Sequence, residues 1–396
     1  MSVTHPQGFV AAGVTAGLKA SGKPDVALVV NEGPQFTAAG VFTSNRVVAA
    51  PVIWSRQAIA DGRLDAVVLN SGGANAATGA AGFQDAHKTA EHVAAALQAQ
   101  GRDVSAGDVG VCSTGLIGVR LPMDTLLSGV DAAAAALSDA GGQDAAVAIM
   151  TTDTVPKTVV VEAAAVGGAG WSIGGMAKGA GMLAPGMATM LCVITTDAVV
   201  SPADAQAALA SAVATTLNRL DSDGCMSTND TVILMASGAS GVTPGADEFQ
   251  AALTQACHEL AQQLLSDAEG ASHDIAITVK NATTEEAAEA VARAVARSNL
   301  FKAAIFGRDP NWGRIIAAVG TVPEDVAPFD ATALDVWVNG VHVCKAAGVG
   351  EPRELVDLEP RAVDIVIDLH AGEASATVWT NDLTHDYVHE NSAYST

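Results

Sequence analysis

Short runs of β-branched and apolar residues alternate along the chain with longer, alanine-rich segments in which apolar residues recur every three or four positions. This alternation is typical of α/β layering and disfavours an all-α or an all-β fold. The predicted strands before residue 284 are 26–31, 66–70, 109–112, 158–164, 171–177 and 275–279. The predicted helices are 83–100, 123–137, 202–219, 247–265 and 284–296.

The last part of the chain has a different pattern. From residue 335 onward short alternating runs dominate, and 336–338 and 341–344 flank Asn339-Gly340, a dipeptide favoured in two-residue hairpin turns. Residues 363–369 and 374–379 are predicted to form another pair of strands. Together these patterns predict a smaller C-terminal α/β domain at about residues 284–396.

Composition indicates a globular protein, because 49% of the residues are hydrophobic and only 16% are charged. Twenty Lys and Arg against 43 Asp and Glu give a formal charge of −23, which repels a phosphate backbone and an anionic membrane surface. No nucleic-acid or membrane partner is therefore expected. The apolar runs are shorter than the ~20 residues of a spanning helix, and residues 1–19 have no signal-peptide pattern. The expected location is the cytoplasm.

The five cysteines show neither a Cys-x-x-Cys spacing nor an accompanying histidine cluster. We therefore expect reduced thiols, no disulfide framework and no metal site.

The segment 174–191 is unusual because five glycines and one proline interrupt regular structure between two apolar, strand-like runs. It contains Ala188-Thr189, a small residue followed by a hydroxyl that can attack the preceding carbonyl carbon. Cleavage there would give Thr189 a free α-amine with a pKa of about 7.7–8.0, suited to act as base for its own hydroxyl. From the residues alone, a structural turn explains this loop at least as well.

Residues 178–191, Lys-Gly-Ala-Gly-Met-Leu-Ala-Pro-Gly-Met-Ala-Thr-Met-Leu, closely resemble the cleavage segment of the ornithine acetyltransferase (glutamate N-acetyltransferase) family. In that family the β chain begins at the threonine matching Thr189. Other blocks resembling the family follow the same order along nearly the whole chain: 8–14, 41–45, 70–76, 112–118, 150–154, 227–231, 309–314 and 390–394.

The resemblance implies a layered αββα fold of the self-processing, N-terminal-nucleophile type, shared with self-processing aminopeptidases. It implies an α chain of residues 1–188 and a β chain of residues 189–396, paired as a heterotetramer of two α and two β chains. The implied reaction moves acetyl from N2-acetyl-L-ornithine to L-glutamate in arginine biosynthesis, with no cofactor. The family contains enzymes that also use acetyl-CoA and enzymes that do not, so this second donor stays open.

The resemblance also assigns roles to individual residues. Thr189 is the nucleophile, and Thr114 and Gly115 form the oxyanion hole. The implied substrate-binding residues are Thr152, Lys178, Thr189, Glu269, Asn391 and Thr396. Chemically, Lys178 suits a carboxylate and Glu269 an ammonium, although either residue alone is more often a solvated surface charge.

Two alternatives and two departures from the family pattern remain. A self-processing aminopeptidase or amidase would hydrolyse the acyl-threonine, and a binding protein would lack catalysis altogether. The family usually has Gly-Glu-Gly-Ala-Thr-Lys where this chain has residues 268–273, Ala-Glu-Gly-Ala-Ser-His, so His273 is expected to alter charge near the pocket. The Cys-Met start of segment 225–230 is interpreted as a packing variant. Segment 309–314 is compatible with a pocket wall, but its Pro, Asn and Gly slightly favour a structural corner.

Overall fold

The computed structural model describes residues 2–164, 168, 170–183 and 190–393. In chain order the strands are β1 Phe9–Val14, β2 Val26–Asn31, β3 Thr37–Phe42, β4 Ala66–Ser71, β5 Val109–Thr114, β6 Lys157–Ala164, β7 Gly170–Lys178, β8 Leu191–Thr196, β9 Thr231–Ala236, β10 Asp274–Ala282, β11 Asp335–Val338, β12 Val341–Lys345, β13 Gly348–Val349, β14 Ala362–Asp368 and β15 Ala374–Asn381. The α-helices are α1 Ala50–Ala58, α2 Gly79–Gln98, α3 Met123–Ala135, α4 Gly142–Ala148, α5 Pro202–Thr215, α6 Ala246–Ser266, α7 Glu285–Ala296, α8 Asn299–Phe306, α9 Trp312–Val319 and α10 His385–Ala393.

Two sheets pack face to face in the larger part of the molecule. One has the strand order β1-β2-β4-β5 and the other β3-β9-β8-β7-β6. Leu69 and Cys112 of the first sheet share an apolar layer with Met176, Val193 and Ile233 of the second. Helices α2 and α3 cover the outer face of the first sheet, and α5 and α6 cover the outer face of the second. The predicted αββα layering is therefore confirmed.

This layering explains the continuous apolar strands of the sequence. Every residue of β2 and of β8 is buried, because each sheet is covered on one face by helices and on the other by its partner sheet. A strand buried on both faces has no solvent side that would favour alternating polar residues.

The C-terminal sheet has the order β13-β12-β11-β14-β10-β15 and packs against α7 and α9. It begins at β10, before the predicted boundary near residue 284, because Ile275, Ile277 and Val279 belong to its apolar core. The predicted pairing of 363–369 with 374–379 is wrong. Strand β10 lies between β14 and β15, parallel to the first and antiparallel to the second. The connecting residues cross the end of β10, where Ala371 N and Gly372 N donate to Asn281 O.

Several local predictions are confirmed. Asn339 and Gly340 have φ angles of 45° and 81°, and they join β11 to β12 as an antiparallel hairpin. The helices predicted to begin at residues 202 and 284 are α5 and α7, and the side chains of Ser201 and Thr284 cap them. Asn311 caps α9, which is typical of a structural corner, and Asn311, Gly313 and Arg314 of the same segment also line a surface cleft.

The ends of β5 and β7 lie at the same edge of the two packed sheets. Strand β5 ends at Thr114 in one sheet and β7 ends at Lys178 in the other, and Lys178 pairs with Leu191, the first residue of β8. The chain therefore leaves and re-enters the second sheet at the edge where β5 of the first sheet also ends. Across the described ranges, no helix is long and apolar enough to cross a bilayer.

Candidate active site

A small cavity of about 130 Å³ lies at this edge of the sandwich. Its lining comprises Thr114, Gly115, Ile117, Thr151, Thr152, Lys178, Gly181, Met182, Glu269 and Asn391. Six predicted site residues thus come together although they are far apart in the sequence: Thr114, Gly115, Thr152, Lys178, Glu269 and Asn391. The other predicted site residues, Ala188, Thr189 and Thr396, lie outside the described residues.

The turn after β5 places a hydroxyl at the cavity. Thr114 is buried, and its carbonyl accepts hydrogen bonds from Gly72 N and Gly73 N, both at 3.0 Å. Its Oγ1 accepts from Lys178 Nζ at 3.3 Å, and among the described residues no acceptor takes the hydroxyl proton. That proton is thus available to a negatively charged oxygen in the cavity, which is what an oxyanion-hole donor requires.

Gly115 has a conformation that requires glycine. Its φ is +129°, and a Cβ at this position would lie 2.6 Å from Gly73 N. The strand β5 can therefore turn sharply into the cavity wall only if this residue carries no side chain.

Lys178 supplies a positive charge at the cavity. The side chain is buried, and its Nζ lies 3.3 Å from Thr114 Oγ1 and 4.0 Å from Asp153 Oδ2. Burial lowers the pKa of Lys178, whereas the carboxylate of Asp153 opposes this shift. Burial would raise the pKa of Asp153, but the ammonium groups of Lys178 and Lys157 and hydrogen bonds to the carboxylate lower it to about 2. Asp153 therefore stays ionised and balances the buried lysines.

Glu269 supplies a negative charge at the opposite wall. Its backbone N–H donates to Ala180 O at 2.9 Å, and its Oε2 accepts from Asn391 Nδ2 at 2.9 Å. A Cβ on Gly181 would lie 2.6 Å from Oε2, so glycine at that position allows the carboxylate to approach. One cavity thus presents an ammonium and a carboxylate, the charges that complement a zwitterionic amino acid.

A second, outer cleft of about 460 Å³ shares Thr152 and Glu269 with the cavity. Asp267 and Glu390 also line this cleft, so its wall is acidic. Burial and the neighbouring Glu269 raise the pKa of Glu390. The acidic wall favours the binding of cationic over anionic groups in this cleft.

Ion pairs behind the cavity join Lys157 to Asp153 and Asp267, and none of these three residues was predicted as a site residue. The signal was present for two of them, because Asp153 lies inside the family-like block 150–154 and Lys157 follows it four residues later. An isolated lysine near a turn is, however, usually solvated, and only the fold shows that Lys157 is fully buried.

His273 was expected to alter the charge near the pocket, but it does not line the cavity. It is buried, with Nδ1 2.7 Å from Asp382 Oδ2 and Nε2 3.1 Å from Leu358 O. Cys225, in the segment interpreted as a packing variant, is exposed. Over the residues that the structure describes, no group of three or more His, Cys, Asp or Glu side chains could hold a metal ion.

A layered α/β protein with a hydroxyl donor, an ammonium and a carboxylate around one small cavity has the make-up of an enzyme for zwitterionic substrates. The ArgJ family model matches residues 10–396, and the chain belongs to this family. The arginine biosynthesis bifunctional protein ArgJ of Streptomyces coelicolor is 61% identical, with both chains fully covered. That of Mycobacterium leprae is 56% identical over 99% of this chain and 95% of its own length. The solved ornithine acetyltransferase of Mycobacterium tuberculosis in complex with ornithine is 60% identical, with a TM-score of 0.45, over 46% of this chain and 94% of that chain.

The turn after β5 generates a prediction about stability. Gly115→Ala should lower the free energy of unfolding more than Gly118→Ala, a matched control with φ +85° and open space where its Cβ would lie. The control carries only left-handed strain of about 1 kcal/mol, whereas Gly115→Ala adds a backbone collision costing roughly 1–3 kcal/mol more. Urea denaturation of both variants checks this, and equal losses would contradict the geometry of the turn.

Proposed function

We propose that the protein is a self-cleaving glutamate N-acetyltransferase of arginine biosynthesis. It moves acetyl from N2-acetyl-L-ornithine to L-glutamate through an acetyl-Thr189 intermediate. The observation that carries the proposal is the convergence of Thr114, Lys178 and Glu269 on one cavity. Membership of the ArgJ family and the names of relatives at 61% and 56% identity support the place in arginine biosynthesis.

The residues on both sides of the proposed cleavage segment are anchored. Before it, Met182 N donates to Asp223 Oδ2 at 2.7 Å, and Leu183 O accepts from Ser222 N at 2.5 Å. After it, Met190 N donates to Asp230 Oδ1 at 2.9 Å. Fixed ends at one edge of the sandwich favour intramolecular attack of the Thr189 hydroxyl on the Ala188 carbonyl, because the reacting groups are already joined by the chain. The attack breaks the Ala188–Thr189 amide and leaves Ala188 as an ester on the Thr189 oxygen, and water then hydrolyses this ester. The products are an α chain of residues 1–188 and a β chain of residues 189–396 with a free amine on Thr189.

The free amine of Thr189 acts as base in the first half-reaction. It takes the hydroxyl proton as Oγ attacks the acetyl carbonyl carbon, and it returns this proton to the nitrogen of the departing ornithine. In the second half-reaction the neutral amine of glutamate attacks the carbonyl carbon of acetyl-Thr189. The Thr189 amine carries a proton from the glutamate nitrogen to Oγ as the ester bond breaks, which releases N-acetylglutamate and restores the hydroxyl. Both tetrahedral intermediates place a negative oxygen where the Thr114 hydroxyl and the Gly115 N–H donate hydrogen bonds.

Substrate charges determine the orientation in the cavity. The α-carboxylate of N-acetylornithine pairs with Lys178, and its side-chain ammonium pairs with Glu269, which Asn391 holds in place. Thr152 lines both the cavity and the acidic outer cleft, at the point of entry. Thr396 is proposed to contact substrate because of the family resemblance alone.

Three further features belong to the proposal. Acetyl-CoA serves as a second acetyl donor, in keeping with the word bifunctional in the names of the relatives. The two chains pair as a heterotetramer of two α and two β chains, and the enzyme works in the cytoplasm. No cofactor is needed, since Thr189 supplies both nucleophile and base.

One experiment separates acetyl transfer from hydrolysis, the activity of a self-processing amidase. The cleaved protein is incubated with N-acetylornithine in the presence and absence of glutamate, and ornithine, acetate and N-acetylglutamate are quantified. Transfer predicts that sustained ornithine release requires glutamate and is matched by N-acetylglutamate. Acetate formation at the same rate with or without glutamate would establish hydrolysis instead.

Replacement of the nucleophile tests self-cleavage and acetyl transfer together. Thr189→Ala should remain one intact chain without acetyl transfer, because it lacks the attacking hydroxyl. Thr189→Ser should do both slowly, since the hydroxyl survives and cleavage frees an amine beside it. Denaturing electrophoresis, N-terminal sequencing of the smaller pieces and a transfer assay provide the readouts. An active parent protein that stays a single chain, or an active alanine variant, would refute the mechanism.

The oxyanion donor can be tested with two variants of one residue. Thr114→Ala should lower kcat for acetyl transfer by about 100-fold, the scale of losing one such donor. Substrate KM should change little, because the negative charge develops in the transition state. Thr114→Ser keeps the hydroxyl and should retain most activity. Turnover is measured per cleaved molecule, since the alanine variant should also cleave slowly. If the two variants had equal kcat, the hydroxyl of Thr114 would not be the donor.

A further inference from the structure

We propose that Lys157 is a positioning residue whose ammonium sets the relative placement of the three segments that form the cavity. Lys157 does not line the cavity, and within the described ranges its ammonium hydrogen-bonds to none of the cavity-lining residues. It acts through two carboxylates, Asp153 and Asp267. The inference rests on the acetyl transfer proposed above, and it adds a residue to the machinery that supports this transfer.

The geometry around Lys157 is that of a buried hub. The residue begins β6, and its side chain is fully buried. Its Nζ lies 2.6 Å from Asp153 Oδ1 and 2.5 Å from Asp267 Oδ2. Two ion pairs with good geometry offset the cost of removing one ammonium and two carboxylates from water.

The first carboxylate connects two parts of the cavity wall. Asp153 Oδ2 accepts from Thr151 N at 2.9 Å, which fixes the segment carrying Thr152. Asp153 Oδ1 accepts from Gly179 N at 2.7 Å, which fixes the backbone directly after Lys178. The binding of Lys157 to Asp153 therefore couples Thr152 to Lys178.

The second carboxylate connects the third part. Asp267 accepts hydrogen bonds from Thr154 N at 3.0 Å and from the Thr154 hydroxyl. It lies two residues before Glu269, in the segment that follows α6. One ammonium thus joins the segments 151–154, 178–179 and 267–269, which present Thr152, Lys178 and Glu269 to the cavity.

Loss of the ammonium changes the electrostatic balance of the site. Without it, Asp153 and Asp267 repel each other, and Lys178, 4.0 Å away, is left as the nearest counterion of Asp153. We expect Asp153 to draw the Lys178 ammonium away from Thr114, and the segment carrying Glu269 to shift. Displacements of this kind at a substrate-binding wall reduce kcat/KM strongly, because catalysis depends on sub-ångström placement.

The pH dependence of the activity measures the electrostatic coupling between Lys157 and Lys178. Burial lowers the pKa of Lys178. Of the charged groups near it, Asp153, Asp230 and Glu269 raise this pKa, and Lys157 lowers it further. The positive charge of Lys178 also acts on Lys19, where burial and this charge lower the pKa. Removal of Lys157 therefore raises the pKa of Lys178. Activity that needs the protonated Lys178 is lost as the pH rises through this pKa, so in the variant the loss should occur at higher pH.

The experiment compares Lys157→Met with Arg219→Met, a matched control. Arg219 is also buried and bonded to two carboxylates, Glu285 and Glu289, but none of these residues lines the cavity. Lys157→Met should lower kcat/KM for N-acetylornithine by about 10- to 100-fold, raise KM, and move the basic limb of the pH profile upward. Arg219→Met should stay within about twofold of the parent in kcat/KM, on the same reasoning. Equal kinetics for the two variants, with unchanged basic limbs, would overturn the inference.

A second variant covers the case in which Lys157→Met does not fold. Asp267→Asn removes one charge of the hub and leaves the pair of Lys157 with Asp153 intact. It should raise KM for N-acetylornithine relative to the Arg219→Met control, and kinetics equal to that control would count against the hub. The parent enzyme separates the two possible failures. A parent without acetyl transfer overturns the proposed function, whereas an active parent with unaffected hub variants overturns this inference alone.

Discussion

The site depends on a positive charge buried between two sheets. Lys178 ends β7 inside the sandwich, where an unpaired ammonium would be costly, and its neighbours are arranged to make this position tolerable. Asp153 provides the compensating carboxylate at 4.0 Å, and the hydroxyl of Thr114 accepts a hydrogen bond from the ammonium at 3.3 Å. The same hydrogen bond joins the end of β5 to the end of β7. The ammonium of Lys178, which suits a substrate carboxylate, therefore also connects the two sheets at the cavity.

Much of the architecture could be predicted because it is specified locally. Apolar periodicity predicts the helices, and Asn339-Gly340 predicts the hairpin. The partner of a strand is not specified in this way. The apolar residues of β14 predict a strand. Nothing in them indicates that this strand pairs with β10, which lies far away in the sequence. The prediction that the last two strands, β14 and β15, pair with each other was therefore wrong, although both strands exist.

The candidate site, like the fold, was only partly predicted from the sequence. Hydroxyl, ammonium and carboxylate side chains in family-like blocks were assigned roles by resemblance, and the fold brings Thr114, Lys178 and Glu269 to one cavity. The ion-pair hub behind them was not predicted, because sequence does not reveal that Lys157 is buried. Its importance depends on which backbone groups its carboxylate partners bind, and that is a property of the tertiary structure alone.

The central claim is that acetyl passes through Thr189, and the most direct test is to observe the intermediate. Cleaved protein mixed with N-acetylornithine and no glutamate is quenched in acid, digested and measured by mass spectrometry. The account predicts an added acetyl group on the peptide that begins at Thr189, which disappears when glutamate is supplied before the quench. An unmodified Thr189 peptide under conditions in which ornithine is released, or acetyl on another residue, would contradict it.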